Sequence, residues 1–203
     1  MAANEPVSPF DREGMYDVRR RAILREAGRQ FARRGFHATS LDDVAKSLQL
    51  TKAGLYHYFE NKEQLLYECY LASIEIAERC VTEASVSDNN GLEKLCNYIR
   101  LMFSSFDKPD GYFALMVEMT ALGSEHQKLL RRRGRIVDTG LRGFIQEGIE
   151  DGSVRSCDAA VIEFAIQGAL NWIPKWYSDK GRKNVVEIVE DFIDFFTNGL
   201  RPR

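Results

Sequence analysis

The sequence predicts an all-α chain of about nine helices, with an N-terminal three-helix head carrying a helix-turn-helix and a longer C-terminal helical body. Apolar residues recur at i, i+3, i+4 and i+7 in segment after segment, the period of a helix with one buried face. No segment reads convincingly as a strand. Several segments are also punctuated as helices are, by a Ser, Thr, Asn or Asp in front and a Gly-containing loop behind.

Taken in order, residues 1–15 contain Pro6, Pro9 and Gly14 without periodicity and read as a loose arm. Arg12 and Arg19 to Arg21 lie where such an arm could reach a neighbouring DNA groove, or could simply be solvated. The first helix runs from Tyr16 to Arg34, burying Ile23, Leu24, Ala27 and Phe31, and Gly35 stops it.

The stretch Thr39 to Phe59 organises the rest. Leu41, Val44, Ala45 and Leu48 share one face of a short helix that Ser40 caps, with Asp43 in its first turn to answer the cap. Gln49-Leu50-Thr51 breaks the pattern, and a second short helix follows over 52–58 with Thr51 as its N-cap. Two short helices joined by a three-residue turn have helix-turn-helix geometry. In the second, Leu55 and Phe59 face inward, leaving Lys52, Ala53, Tyr56 and His57 outside beside Gly54. A cation, two small residues and two aromatic hydrogen-bonding groups suit close approach to a phosphate-lined groove, which recognition helices enter by their N-terminal residues. Gly54 weakens a helix interior by about 1 kcal/mol relative to Ala, so close backbone approach explains it better than helix stability.

The order Arg21-Ala-Ile-Leu, Phe31, Gly35-Phe36, Thr39-Ser40, Val44-Ala45, Lys52, Leu55-Tyr56, Phe59, Lys62-Glu63 and Leu65 resembles the DNA-binding domain of the TetR family of transcriptional regulators, over about Arg19 to Tyr67. The chain departs from that family's pattern by carrying Ala53 where Gly is frequent and Tyr58 where His is frequent, with its imidazole one place earlier at His57. Carried onto these positions, the DNA-binding set is Thr39, Ser40, Thr51, Lys52, Ala53, Gly54, Tyr56, His57 and Lys62. Thr51, Tyr56, His57 and Lys62 are expected on phosphates. Lys52 and Ala53 are expected nearest the base edges, with guanine the natural partner of the lysine and a thymine methyl that of the alanine.

Composition fits one end contacting nucleic acid. The 203 residues are 44% hydrophobic and 29% charged, with a net charge of −2. Residues 1–62 carry 11 Lys and Arg against 8 Asp and Glu, whereas residues 63–203 carry 17 against 22. Cys69, Cys80, Cys96 and Cys157 form no paired motif and read as reduced thiols. No apolar run approaches the roughly 18 residues of a membrane span and no signal-peptide core opens the chain, which implies a cytoplasmic protein without a membrane partner. Neither metal nor cofactor is expected. His37, His57 and His126 lack ligand spacing, and no catalytic motif occurs, so the chain is not read as an enzyme.

The body, residues 62–203, begins with a helix over 62–83 capped by Asn61, long enough to belong to head and body alike. Further helices are expected over 92–106, 112–122, 125–150, 159–177 and 185–200, with Asp158 as a cap and Pro174 kinking or ending the penultimate one. Phe164, Trp176, Phe192, Phe195 and Phe196 are more apolar surface than one small body needs. Helix-turn-helix proteins pair so that two heads meet half-sites of a palindromic operator, and resemblance to the TetR family implies the same, so a homodimer through the last two helices is expected. That resemblance also implies a small-molecule effector in a body pocket. Met102, Phe103, Phe106, Phe113, Met116 and Trp172 are the candidates to line it, being aromatic or flexible thioether side chains.

Arg131, Arg132, Arg133 and Arg135 have three readings: a solvated face, a phosphate-binding rim for a coenzyme A thioester, and direct DNA contact, which their distance along the chain from the head disfavours. The solvated face is the leading reading of the run, while Asn171-Trp172 followed by Trp176-Tyr177 is similar to TetR regulators of lipid and acyl-CoA catabolism, a resemblance that implies an acyl-CoA or lipid-like effector. The competing class is a protein of this fold that acts mainly through a protein partner and binds DNA weakly.

Overall fold

The computed structural model describes residues 12–86, 89–105, 119–177 and 180–201, and among them all regular structure is helical. The eight α-helices are α1 (Arg12–Arg34), α2 (Leu41–Ser47), α3 (Lys52–Tyr56), α4 (Lys62–Ser85), α5 (Gly91–Ser104), α6 (Ser124–Asp151), α7 (Ala159–Trp176) and α8 (Val185–Leu200). The helix expected over 112–122 falls mostly outside the described residues, and its end, Met119–Ala121, is a single 3₁₀ turn. Helix α1 begins four residues earlier than expected, so residues 12–15 belong to it rather than to the arm. Helix α7 continues to Trp176, which places Pro174 in its last turn, where the helix is ending anyway.

The termini follow from local chemistry. The side chains of Asn61, Asn90, Asp158 and Asn184 accept the first free N–H groups of α4, α5, α7 and α8. Gly35 and Gly152 adopt φ of 86° and 80° behind α1 and α6, the left-handed conformation in which a Cβ is costly. Where α5 crosses α6 a Cβ on Gly91 would stand 2.1 Å from the Gly148 nitrogen, so only glycine lets the two backbones touch.

Two hydrophobic clusters result. The first joins Ile23, Leu24, Ala27 and Phe31 of α1 to Leu41, Val44, Ala45, Leu55 and Phe59, then to Leu65, Leu66, Cys69 and Tyr70 of α4. The second joins Ile76, Ala77, Cys80 and Ala84 of α4 to the cores of α5, α6, α7 and α8. Helix α4 therefore serves both, its amino-terminal half packed on α1 and its carboxy-terminal half against α5 and α6. At 24 residues it spans about 36 Å, using 1.5 Å per residue.

Candidate nucleic-acid interface and ligand cavity

The helix-turn-helix is assembled by its caps. Ser40 and Asp43 form a reciprocal capping box in which the Ser40 hydroxyl accepts the Asp43 N–H and the Asp43 carboxylate accepts the Ser40 N–H. Those bonds hold the Asp43 carboxyl below its ordinary pKa. At the other end of α2, Gln49 has φ 56°, Leu50 N–H donates to the Ala45 carbonyl at 2.8 Å and Gln49 N–H to that of Lys46 at 3.1 Å. That is a Schellman termination with glutamine in the place glycine usually takes. Thr51 then caps α3, its hydroxyl oxygen accepting the Gly54 N–H at 3.0 Å. A Cβ on Gly54 would stand 3.2 Å from that oxygen, a local reason for glycine besides approach to DNA.

Leu55 and Phe59 are 0% and 1% exposed and anchor α3, while Thr51, Lys52, Ala53, Tyr56 and His57 all face solvent and Gly54 is half-buried. The Lys52 ammonium lies 3.2 Å from the Asp42 carboxylate and 5.9 Å from the Tyr56 ring centroid. His57 meets Tyr16 of α1 edge-on at 6.0 Å, and Tyr16 stacks on Tyr58 at 4.7 Å. Ser40 is exposed beside these groups.

Two residues of the expected DNA-binding set are placed otherwise. Thr39 is 1% exposed, and its hydroxyl donates to the Gly35 carbonyl at 2.9 Å, closing the loop behind α1 instead of reaching outward. Lys62 is half-buried, its ammonium 4.2 Å from the Phe36 ring centroid and 3.4 Å from the His37 carbonyl. Burial lowers the Lys62 pKa. Thr39 is internal to the head, and Lys62 rests against the loop between α1 and α2.

In the body a cavity of about 430 Å³ opens where the two hydrophobic clusters meet. Tyr70, Ser73, Ile74 and Ala77 of α4 form one wall, and Leu130, Arg131, Gly134, Arg135, Val137 and Asp138 of α6 another. Gln167 and Asn171 of α7 and Met119 complete it. Its volume is that of a small-molecule pocket, about 300–1,000 Å³. The walls are mixed: an apolar strip from Ile74, Ala77, Leu130 and Val137, two guanidinium groups, one carboxylate and two amides. Burial raises the pKa of Asp138 and takes the Tyr70 hydroxyl up to about 12.

Of the expected lining residues, the three that are described lie elsewhere. Met102 and Phe103 are each 1% exposed and fill the core of the body, Phe103 lying 5.9 Å from Phe192. Trp172 is 52% exposed on the outer face of α7. Phe106, Phe113 and Met116 lie outside the described residues. The physical reason is packing: Met102 and Phe103 belong to the close-packed core that α5 shares with its neighbouring helices, and not to the cavity wall. The arginine run divides. Arg131 and Arg135 line the cavity, whereas Arg133 reaches back to α4, pairing with Glu78 at 3.0 Å and Glu75 at 3.2 Å.

Of the expected dimer residues, Phe164, Trp176 and Phe195 are 63%, 47% and 73% exposed on α7 and α8, while Phe192 and Phe196 are half-buried against the body core. Val161 and Trp172 of α7 and Val186 of α8 are exposed as well. Beneath it the 1%-exposed Glu163 pairs with Arg142 at 3.1 Å, and the guanidinium lies 5.2 Å from the Phe164 ring centroid. Burial raises the Glu163 pKa against the opposing pull of Arg142.

Sequence reasoning missed most of the cavity. One signal was present: Tyr70, Ile74 and Ala77 at i, i+4 and i+7 on α4 face Arg131, Arg135 and Asp138 at i, i+4 and i+7 on α6. Each stripe is readable by itself, but nothing local says that the two oppose each other.

The arrangement is that of a helix-turn-helix DNA-binding protein whose reading helices share a long helix with a cavity-bearing body. Comparison with known proteins narrows this. Residues 23–69 match the family described as "Bacterial regulatory proteins, tetR family", and residues 88–200 match "Tetracyclin repressor-like, C-terminal domain". The chain belongs to the TetR family of transcriptional regulators. The HTH-type transcriptional repressor KstR2 of Rhodococcus jostii (strain RHA1) is 24% identical over 202 residues, covering 95% of this chain and 96% of the relative. The crystal structure of the TetR family regulator PfmR from Thermus thermophilus superposes with a TM-score of 0.74 at 28% identity, over 89% of this chain and 99% of PfmR. AibR in complex with isovaleryl coenzyme A and operator DNA gives a TM-score of 0.73 at 27% identity, over 87% and 97%. Among the described residues no helix is long and apolar enough to cross a membrane.

Proposed function

We propose that the chain is a repressor that binds a palindromic operator as a homodimer and releases it when an amphipathic effector of the acyl-coenzyme A type fills the cavity between α4, α6 and α7. Residues 16–61 form the DNA-binding unit in this reading, and residues 62–203 the ligand-binding and dimerisation unit. The observation that carries it is α3. Leu55 within it and Phe59 just beyond it are fully buried, while the side chains of Lys52, Ala53, Tyr56 and the C-cap His57 are left outside, on a helix too short to be stable alone. Thr51, Tyr56 and His57 face phosphates, and Lys52 exchanges Asp42 for a guanine edge.

The effector reading rests on the cavity's mixed walls. Arg131 and Arg135 suit phosphate oxygens at one edge, and the strip from Ile74 to Val137 suits an acyl group. Asp138, Gln167 and Asn171 offer hydrogen bonds to a polar group on the ligand. The relative AibR, solved with isovaleryl coenzyme A and operator DNA, lends the ligand class, and KstR2, named a repressor, lends the sign of regulation. Exposed Phe164, Trp172, Trp176 and Phe195 supply the apolar face through which two copies pair. Release requires the effector to bind the two head arrangements unequally, and a hundredfold loss of operator affinity corresponds to about 2.7 kcal/mol.

The test begins by selecting duplexes from a random-sequence pool with the purified dimer at fixed salt. The selected site is expected to be palindromic. Replacing Lys52 and Tyr56 together with alanine is expected to abolish its binding while sedimentation still reports a dimer. Unchanged affinity at matched salt would remove α3 from the interface.

A further inference from the structure

Lys62 and Glu63 are the first two residues of α4, just beyond the buried Phe59 anchor, and their side chains go in opposite directions. Lys62 turns toward the loop between α1 and α2, onto the Phe36 ring and the His37 carbonyl. Glu63 turns toward the body. Its carboxylate accepts the Gly123 N–H at 2.7 Å and lies 3.4 Å from His126 Nδ1. One turn later Tyr67 stacks on the His126 ring at 4.2 Å.

The Glu63 contact is unusual because Gly123 is the N-cap of α6 and α6 has no capping side chain of its own. The free N–H groups at a helix start need an acceptor, and the helix dipole favours a negative one. Glu63 supplies both from another helix, and the bond to Gly123 is the main reason its pKa is lowered. Gly123 makes room for it. Among the described residues, and apart from its own chain neighbours, the one heavy atom within 4 Å of a Cβ built there is the Glu63 carboxylate oxygen itself, at 3.2 Å.

The rest of the seam lies along the same stripe of α4. Positions 63 and 67 hold the start of α6, and positions 70, 74 and 77 form the cavity wall. A ligand that presses on Tyr70 or Ile74 therefore acts on the same face of the helix whose first turn is held by Glu63.

We propose that Lys62 and Glu63 form a two-way clamp that sets how the recognition helix is carried by the body. Lys62 fastens the start of α4 to the head, and Glu63 fastens the same turn to the start of α6. Both are positioning residues, and neither needs to touch DNA. The assignment rests on the reading of residues 52–57 as the DNA-facing surface.

The experiment compares Glu63→Ala with the double variant Glu63→Ala/Gly123→Ser, on the duplex selected by the wild-type dimer at matched salt. The serine gives α6 a cap of its own without restoring any tie to α4. Glu63→Ala is expected to lower the thermal midpoint and to weaken the duplex at least tenfold. The double variant is expected to recover the midpoint while staying at least tenfold weak. Affinity within twofold of wild type in Glu63→Ala, or affinity recovered together with the midpoint in the double variant, would make Glu63 a helix cap only and overturn the clamp. Lys52→Ala/Tyr56→Ala separates the two readings. If that pair binds normally the DNA-facing surface is wrong and the clamp falls with it; if it fails to bind while the clamp variants bind normally, the clamp alone is wrong.

Discussion

The amino-terminal cluster and the body use similar side chains to opposite ends. Around α1 to α3 the apolar residues of the helix-turn-helix are consumed by packing, with Val44 and Leu55 at 0% exposure, so that the polar remainder is pushed to one outer surface. In the body the apolar residues of α5 pack equally well, but α4, α6 and α7 leave between them about 430 Å³ with charged and amide groups among its lining. A close-packed unit presents a rigid face, as groove recognition requires. A unit with a void of mixed walls has room for a second molecule. Helix α4 belongs to both, so one helix joins a close-packed head to a body that holds a cavity.

The largest expected effect breaks this contrast outright. Phe59→Ala removes a fully buried ring from the amino-terminal cluster and is expected to cost about 3–5 kcal/mol. Urea unfolding followed by residue-resolved exchange should show α1 to α3 lost while the body remains a dimer. A single transition for the whole chain would mean the two clusters are one cooperative unit.

Next is Arg142→Ala in the body, which leaves Glu163 buried without its partner. Losing hydrogen bonds to a buried charged group costs about 1.5–3 kcal/mol. The sign with pH follows from burial. Glu163 already has a folded pKa raised above its unfolded value, and removing Arg142 raises it further. The penalty is therefore absent below the unfolded pKa of about 4.3 and grows as pH rises through the folded one. Urea midpoints of variant and wild type should converge toward pH 4 and separate toward pH 7.

Arg131→Ala/Arg135→Ala sharpens the comparison from the ligand side. Isovaleryl coenzyme A, used as the probe, should bind about tenfold more weakly by calorimetry, about 1.4 kcal/mol, with operator affinity unchanged because neither arginine belongs to the head. The smallest effect is Gln49→Gly in the turn between α2 and α3. A non-glycine residue in the left-handed conformation costs about 1 kcal/mol, so the variant should be slightly more stable in thermal melts and still bind operator.

How much of this was legible differs between the two regions. Ser40 with Asp43, Thr51 before α3 and Asn61 before α4 are cap signals within three residues of their partners, and each does what its spacing implies. Thr39 and Lys62 stand in the same motif yet were expected outside. Whether a hydroxyl or an ammonium faces solvent depends on where Gly35 and Phe36 arrive, which is a matter of chain return. Met102 and Phe103 look like pocket residues by type, but type does not distinguish a side chain beside a void from one that fills it. The void itself is bounded by residues from Tyr70 to Asn171, too far apart in the chain for any local pattern to join.

By itself, the amino-acid sequence determined the helical class, the helix-turn-helix and its family, because capping and the 3.6-residue period act between neighbours a few residues apart. Only the tertiary structure decided which arginines line a cavity, that Lys62 lies over the Phe36 ring, and that Glu63 accepts the N–H at the start of a helix sixty residues away, because those outcomes depend on how whole helices lie against one another.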